Sequence, residues 1–300
     1  MNARGIAAAP VSWGVWERTI ERDDLVPPAA LLDSVRSLGF SAIELGPPGY
    51  FGANGSSVRA ELAAFDLELV GAFTPLRLTG RDDQLRDDIA ELDRTLAILA
   101  DQPAAVALLA DAGTPERFAA AGRPDELRRT ALRGATLDAA VARLAGAAER
   151  CRAAGVAAAL HPEVGSFVES PQEIETFLAR VDVDLCLDTG HIAIGGGDPV
   201  AVARELAERI RHVHLKDVSS ELLARLRAGD VDVETAWEQG LFCTFGDGEI
   251  DLAGVLAHLS SYDGWLVVEQ DRIAVQVDDV PAVREAEQRN LEFVRARVEG

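Results

Sequence analysis

Eight short, nearly continuous apolar runs recur along this chain, each followed by a turn and a longer amphipathic stretch, and this alternation constrains its fold more than any other feature. The runs are 6–15, 41–45, 67–73, 104–109, 156–161, 183–188, 210–215 and 265–269. Runs of this length without polar alternation suit strands buried on both faces, as in parallel sheets. Helix starts are marked between them. Ser170-Pro171-Gln172-Glu173 reads as a capping box with Pro at the first helical position, and Thr114-Pro115 and Asp198-Pro199 repeat the cap-then-Pro order. Leu137, Val141, Leu144 and Ala148 share one face of a helix expected over 136–154. Eight strands alternating with helices over 300 residues predict an α/β fold, a (β/α)8 TIM barrel, rather than an open doubly wound sheet. No composition shift or Pro/Gly/Ser linker divides the chain, so 1–300 reads as a single domain.

Composition removes several classes of function. With 29 Lys+Arg against 50 Asp+Glu, the formal charge is −21, which argues against nucleic acid or anionic membrane as a partner. Cys151, Cys186 and Cys243 form no CxxC pair, which suits a reducing compartment. The N-terminal stretch lacks a signal-peptide pattern, and no run of about 18 apolar residues occurs. These features predict a cytoplasmic protein. Two segments exceed ordinary loop length: 111–134, expected over the top or edge of the barrel, and 218–250, expected to shape a pocket at the rim.

In a (β/α)8 enzyme, functional side chains project from the C-terminal ends of the strands. Applied to the last four strands, that rule selects His161, Asp188, His214 and Glu269, one polar residue ending each apolar run. Alone, any of them reads equally as a cap or a surface group. Together they make a mixed N/O donor set suited to a divalent metal, Mn²⁺, Co²⁺, Mg²⁺ or Zn²⁺, among which ligand type alone does not choose. Glu163, two residues past His161, is a rival ligand or a proton carrier. His191 in Asp188-Thr189-Gly190-His191 can reach the same pocket to bind a substrate hydroxyl, or else caps a helix. Lys216 can polarise a carbonyl or place a hydroxyl, and Asp217 fixes the following loop. Glu44 sits on the same rim, and Trp13 and Trp16 are expected to wall the pocket. His212 lies on the same side of its strand as His214 and reads as support or barrel interior. His258 reads as a mid-helix surface residue, Gly195-Gly196-Gly197 as a flexible turn, and Cys186 as a core thiol.

Longer stretches resemble the xylose-isomerase-like sugar isomerase/epimerase superfamily, and within it the inosose (2-keto-myo-inositol) dehydratases. They are APVSWGVWE (9–17), AIELGPPGYFG (42–52), HPEVGSFVES (161–170), LCLDTGHIAIGGGDP (185–199), RIRHVHLKDV (209–218), FGDGEIDL (245–252) and YDGWLVVEQD (262–271). The resemblance spans nearly the whole chain. It implies a divalent metal on Asp188, His214 and Glu269, with His161 or Glu163 as the strand-five ligand. Many relatives carry Glu where this chain has His161, and the strand-eight motif is shorter after Glu269 than the acidic run of the dehydratases.

The activity so implied is a metal-dependent lyase of inositol catabolism, dehydrating a cyclic polyol ketone through an enolate. Glu269 or Glu163 would remove the α-proton, and His191 or Lys216 would assist loss of the β-hydroxyl. A ketose epimerase or isomerase would use the same site and return the proton instead. An abasic-site endonuclease would need a basic groove and more His than this chain carries, and a non-catalytic sugar-binding barrel would have no need of the strand-end donors. The expected partner is a small keto-polyol or keto-sugar, with neither nucleic acid nor membrane. Relatives often form homo-oligomers.

Overall fold

In chain order the strands are β1 (Gly5–Ala8), β2 (Ala42–Ile43), β3 (Glu68–Leu69), β4 (Gly71–Leu76), β5 (Val106–Asp111) and β6 (Ala157–His161). They continue with β7 (Asp184–Asp188), β8 (Ile210–Leu215), β9 (Asp217–Val218), β10 (Phe242–Cys243) and β11 (Trp265–Val268). This computed structural model describes residues 2–102 and 104–298. The ends of the expected 1–300 domain, at Met1, Glu299 and Gly300, lie outside the described residues, as does Pro103.

One sheet joins nine of these segments in the order β3-β2-β1-β11-β8-β7-β6-β5-β4, every ladder parallel. Its two ends are halves of a single strand interrupted at Val70. The Val70 N–H donates to the Ile43 carbonyl, and the Val70 carbonyl accepts from the Val106 N–H. The early half therefore pairs with β2 and the late half with β5, and eight staves close into a barrel. Such an offset is what a sheet needs in order to tilt and close on itself.

All eight apolar runs contribute a stave, with shifted ends. The largest correction concerns 6–15, where the strand stops at Ala8 and a 3-10 helix follows over Pro10–Trp13. Pro10 has no N–H to give a ladder, and Gly14 ends the helix at φ 69, donating to the Pro10 and Val11 carbonyls. A side chain at Gly14 would also meet the Val275 backbone N at 2.5 Å, so the turn requires glycine.

The helices are α1 (Pro28–Leu38), α2 (Gly55–Ala63), α3 (Asp82–Leu99), α4 (Pro115–Ala120), α5 (Pro124–Thr130), α6 (Gly134–Ala153) and α7 (Pro171–Arg180). After them come α8 (Thr189–Ile194), α9 (Pro199–Glu205), α10 (Ser220–Ala228), α11 (Val233–Glu238), α12 (Leu252–His258) and α13 (Val280–Val298). Thr114 and Asp198 cap α4 and α9, and the Ser170/Glu173 capping box opens α7. On α6, Val141, Leu144 and Ala148 are buried and Leu137 packs at the edge of the core. The long segment 111–134 folds as α4 and α5. The 218–250 segment carries α10 and α11 and returns through β10, antiparallel to β9. His258 is exposed at the last residue of α12, not in mid-helix.

Side chains divide into two layers, as strand alternation requires. Ile6, Ala8, Ile43, Val213, Leu215, Leu266 and Val268 belong to the large apolar layer that packs against the helices. Ala7, Ala42, Val70, Val267, Val106, Leu108, Ala159 and Cys186 form separate clusters, those of the barrel interior. Small residues there leave room for polar groups at the top of the barrel. Among the described residues, no helix is long and apolar enough to cross a membrane.

Helix α13 buries Glu287 completely. Arg272 and Asn290 reach its Oε1 at 3.5 and 3.4 Å, while Oε2 has no hydrogen-bond partner. Burial pushes this carboxyl up to about 7 from 4.5, against the opposing pull of Arg272. Between those values the folded chain holds more protons than the unfolded one. Stability is therefore fullest below the lower value and falls as pH rises through the upper one. Glu287→Gln, which removes the titration, should gain on the parent by up to about 3 kcal/mol as pH is raised from about 5 to about 8. Chemical denaturation at the two pH values measures the difference.

Candidate functional site

His161, Asp188, His214 and Glu269 stand within one residue of the C-terminal ends of β6, β7, β8 and β11, and all four are buried. Their inward atoms converge. His161 Nε2 lies 3.3 Å from His214 Nδ1 and 3.4 Å from Asp188 Oδ2. His214 Nδ1 lies 3.3 Å from Asp188 Oδ2 and 3.1 Å from Glu269 Oε2. Donors each about 2.1 Å from one ion would be separated by roughly 3.0 Å at right angles and roughly 3.4 Å at tetrahedral angles. These four pair spacings fall in that range, and Asp188, His214 and Glu269 form a group whose ligand atoms all lie within 4.8 Å of one another, which His161 adjoins through His214 and Asp188. Glu269 Oε2 is buried, and its close neighbours are the His214 ring and the Lys216 ammonium, so the position already attracts positive charge. The residues present therefore fit a divalent metal, without selecting which one.

Local sequence explains how each donor is aimed. Asp188 ends β7 and caps α8, its Oδ1 accepting from the His191 N–H at 2.8 Å while Oδ2 faces the cluster. Thr189 Oγ1 donates to the Lys216 carbonyl at 2.7 Å and accepts from the Lys216 N–H at 2.8 Å, tying α8 to the end of β8. Any side chain at Gly190 would meet Lys216 Cβ at 2.8 Å, so this junction admits only glycine. On β8, alternation sends His212 and His214 to the same side, and both Nε2 atoms bond Glu44 Oε1, at 2.7 and 2.9 Å. Glu44 thus orients the His214 ring and fixes which nitrogen faces the cluster. Expected as a substrate contact, Glu44 does line the cavity, but this oxygen is already engaged by the two rings.

Two further residues of the set lie beside the donors. Lys216 Nζ donates to Asp188 Oδ2 at 2.7 Å and lies 2.5 Å from Glu269 Oε2 and 3.5 Å from Asp271 Oδ1. Burial disfavours its charge, yet Asp188, Asp271 and Glu269 hold it protonated well above the usual lysine range. Glu163 lies on the other side of His161, its Oε2 3.5 Å from His161 Nδ1 and its Oε1 3.4 Å from His191 Nδ1. Burial pushes Glu163 up to about 7, opposed by His191 and Lys216. Burial holds His161 down at about 4, so its ring is neutral. For His191 burial is outweighed by Glu163 and Asp188, and its pKa rises to about 9. The neutral ring accepts from the Val164 N–H at Nδ1, at 3.1 Å, whereas the protonated ring turns that nitrogen into a donor toward Glu163.

These groups line one side of a cavity of about 380 Å³, and Trp16, Phe73, Phe118 and Trp237 supply an apolar wall. Trp16 stacks on Trp237 of α11 with ring centres 5.1 Å apart. Trp13 corrects the expectation. It is fully buried in the apolar layer and does not line the cavity, because the 3-10 turn carries it inward before Gly14 reverses the chain. Asp217, in β9, fixes not the loop that follows it but the one after β10, accepting from the Gly246, Gly248 and Ile250 N–H groups. Gly195-Gly196-Gly197 is a close-packed turn, and Cys186 is a fully buried thiol.

Sequence reasoning missed Asp271, Trp237 and Asp111. Asp271 repeats the two-residue spacing of His161 and Glu163 beyond Glu269, a signal present in the sequence. Trp237 lies within a segment read as pocket-forming, yet nothing local distinguishes it from a core tryptophan.

The comparisons agree with this architecture. Residues 32–296 match the family model described as xylose isomerase-like TIM barrel. The rhizopine catabolism protein MocC of Rhizobium meliloti is 32% identical over 276 residues, covering 89% of this chain and 81% of MocC. The inosose dehydratase of Geobacillus kaustophilus (strain HTA426) is 30% identical over 277 residues, covering 91% of this chain and 89% of that enzyme. A solved structure of an L-ribulose 3-epimerase shares the fold with a TM-score of 0.68 at 18% identity, over 98% of this chain and 94% of that one. By its barrel, its strand-end cluster and these full-length matches, the chain belongs to the xylose isomerase-like TIM barrel family.

Proposed function

We propose that this protein is a metal-dependent carbon–oxygen lyase that dehydrates a cyclic polyol ketone such as 2-keto-myo-inositol. The observation that carries the reading is the juxtaposition, in one cavity, of a four-donor cluster with the Glu163–His191 pair beside it. Similarity to an inosose dehydratase over nine-tenths of the chain supports the dehydratase direction.

His161, Asp188, His214 and Glu269 would hold the metal. His161 is favoured over Glu163 because its Nε2 lies within 3.4 Å of two other donors, whereas Glu163 approaches only the far nitrogen of the same ring. A bound divalent ion would supply Lewis-acid charge that stabilises the negative charge developing on the substrate as its α-proton leaves. Glu163 removes the α-proton, because a carboxyl with a pKa near 7 is matched to that task. Glu269 is a poorer base, since His214 and Lys216 hold it below the ordinary carboxylate range despite its burial. His191, which retains a proton to about 9, gives it to the departing β-hydroxyl, so that C–H and C–O bonds break and one water leaves. Lys216 holds Asp188 and Glu269 in place and offers a donor to a substrate oxygen. Trp16 and Trp237 cover the apolar face of the ring and keep water from the enolate.

Incubation with 2-keto-myo-inositol and Mn²⁺ or Co²⁺, beside a chelated control, should give metal-dependent loss of one water by mass and NMR. An isomer of unchanged mass would replace this reading with an epimerase. Glu163→Gln should lower kcat by about 10²–10⁴-fold while metal content stays unchanged. Asp188→Asn should lose the metal itself, as read by elemental analysis. Glu44→Ala, which strips two buried histidines of their shared acceptor, should cost about 3–5 kcal/mol in chemical denaturation.

A further inference from the structure

The loop over residues 162–170, between β6 and α7, is almost entirely buried apart from the Glu163 side chain. Water cannot satisfy its backbone, and four charged side chains do so instead, Glu173 accepting from the Ser170 N–H at 2.9 Å. Glu169, fully buried, accepts from the Gly165 N–H through Oε2 and from the Gly122 N–H through Oε1, both at 2.7 Å. Arg117 of α4, also fully buried, donates from Nε to the Ser166 carbonyl at 2.6 Å and from Nη2 to Glu173 Oε2 at 2.9 Å. Asp111, at the end of β5, accepts from the Phe167 N–H at 2.8 Å.

Satisfying these backbone groups with charged side chains costs the desolvation of each charge, so the arrangement holds the loop in one shape at an expense in stability. What they share is the loop they hold. One end of that loop carries Glu163, whose N–H donates to the Val168 carbonyl, and the next residue, Val164, has its N–H 3.1 Å from His191 Nδ1, the nitrogen that also faces Glu163. We infer that Glu169, on the loop itself, and Arg117, from the 111–134 segment, form a clamp that positions Glu163 against His191 and the substrate.

This inference rests on the reading of Glu163 as the proton-transfer group. Glu169→Gln is the sharpest test, because the amide keeps the shape but must turn its NH2 toward either the Gly122 or the Gly165 N–H, breaking one bond. In the metal-loaded enzyme it should lower kcat by roughly 10–100-fold with KM changed by less than about three-fold. Combined with Glu163→Gln, it should add almost nothing, since a positioning residue has no effect once the group it positions is gone. Arg117→Lys, which keeps the charge facing Glu173 but loses the Nε bond to the Ser166 carbonyl, should behave the same way. Faster amide exchange should be confined to 162–170 and 111–134 in both variants. Multiplicative losses in the double variant, or an unchanged kcat with only a lower melting temperature, would overturn the clamp. Full activity of Glu163→Gln alone would instead overturn the assignment of the base. If exchange is unchanged in both single variants, the clamp is overturned whatever the substrate.

Discussion

Buried negative charge at the mouth of the barrel is the constraint on which the rest of this structure depends. Glu44, Asp188 and Glu269 each lie within 3.3 Å of a ring nitrogen of His214, away from water, and none could remain ionised there without positive partners. Lys216 bridges Asp188 and Glu269, and His214 sits between all three carboxylates. A divalent cation among the same oxygens would answer the same electrostatic demand. The interior below is built for this load, because Ala7, Ala42 and Ala159 leave space at the centre of the sheet that larger side chains would occupy.

Rigidity around the cluster is achieved by short-range devices that the sequence spells out. Asp188-Thr189-Gly190-His191 is one such unit: a strand end, a helix cap, a brace onto Lys216 and a residue without a side chain where two backbones meet. His212 and His214 share Glu44 because strand alternation puts both on one face. The insertions act at longer range. Helices α4 and α5 bring Arg117 and Gly122 to the loop after β6, and α11 brings Trp237 over Trp16. The two long segments thus serve different ends, one bracing the loop that carries Glu163 and the other covering the cavity.

Much of this was legible in advance because it follows from local periodicity. The eight apolar runs, the Ser170 capping box and the strand-end position of His161, Asp188, His214 and Glu269 each depend on residues a few positions apart. The errors share a cause as well. The run 6–15 is apolar throughout, so hydropathy could not reveal that Pro10 and Gly14 turn the chain into a 3-10 helix and send Trp13 into the core and Trp16 to the cavity. The interruption of the third stave at Val70 was equally silent, since it reflects which neighbour each half pairs with and not what its residues are.

The sequence by itself determined the fold class, the staves and the donors that end four of them, since those are consequences of period, capping and residue chemistry. Only the tertiary structure decided that His161 Nε2 and not Glu163 faces the other donors, that Asp271 lies against both Lys216 and His191, and that Arg117 is buried against a loop nearly fifty residues away. The reason is physical. Which oxygen or ring nitrogen faces a shared point is settled by tilt and closure of the whole barrel, and by charges arriving from elements far apart in the chain. No window of neighbouring residues contains that information.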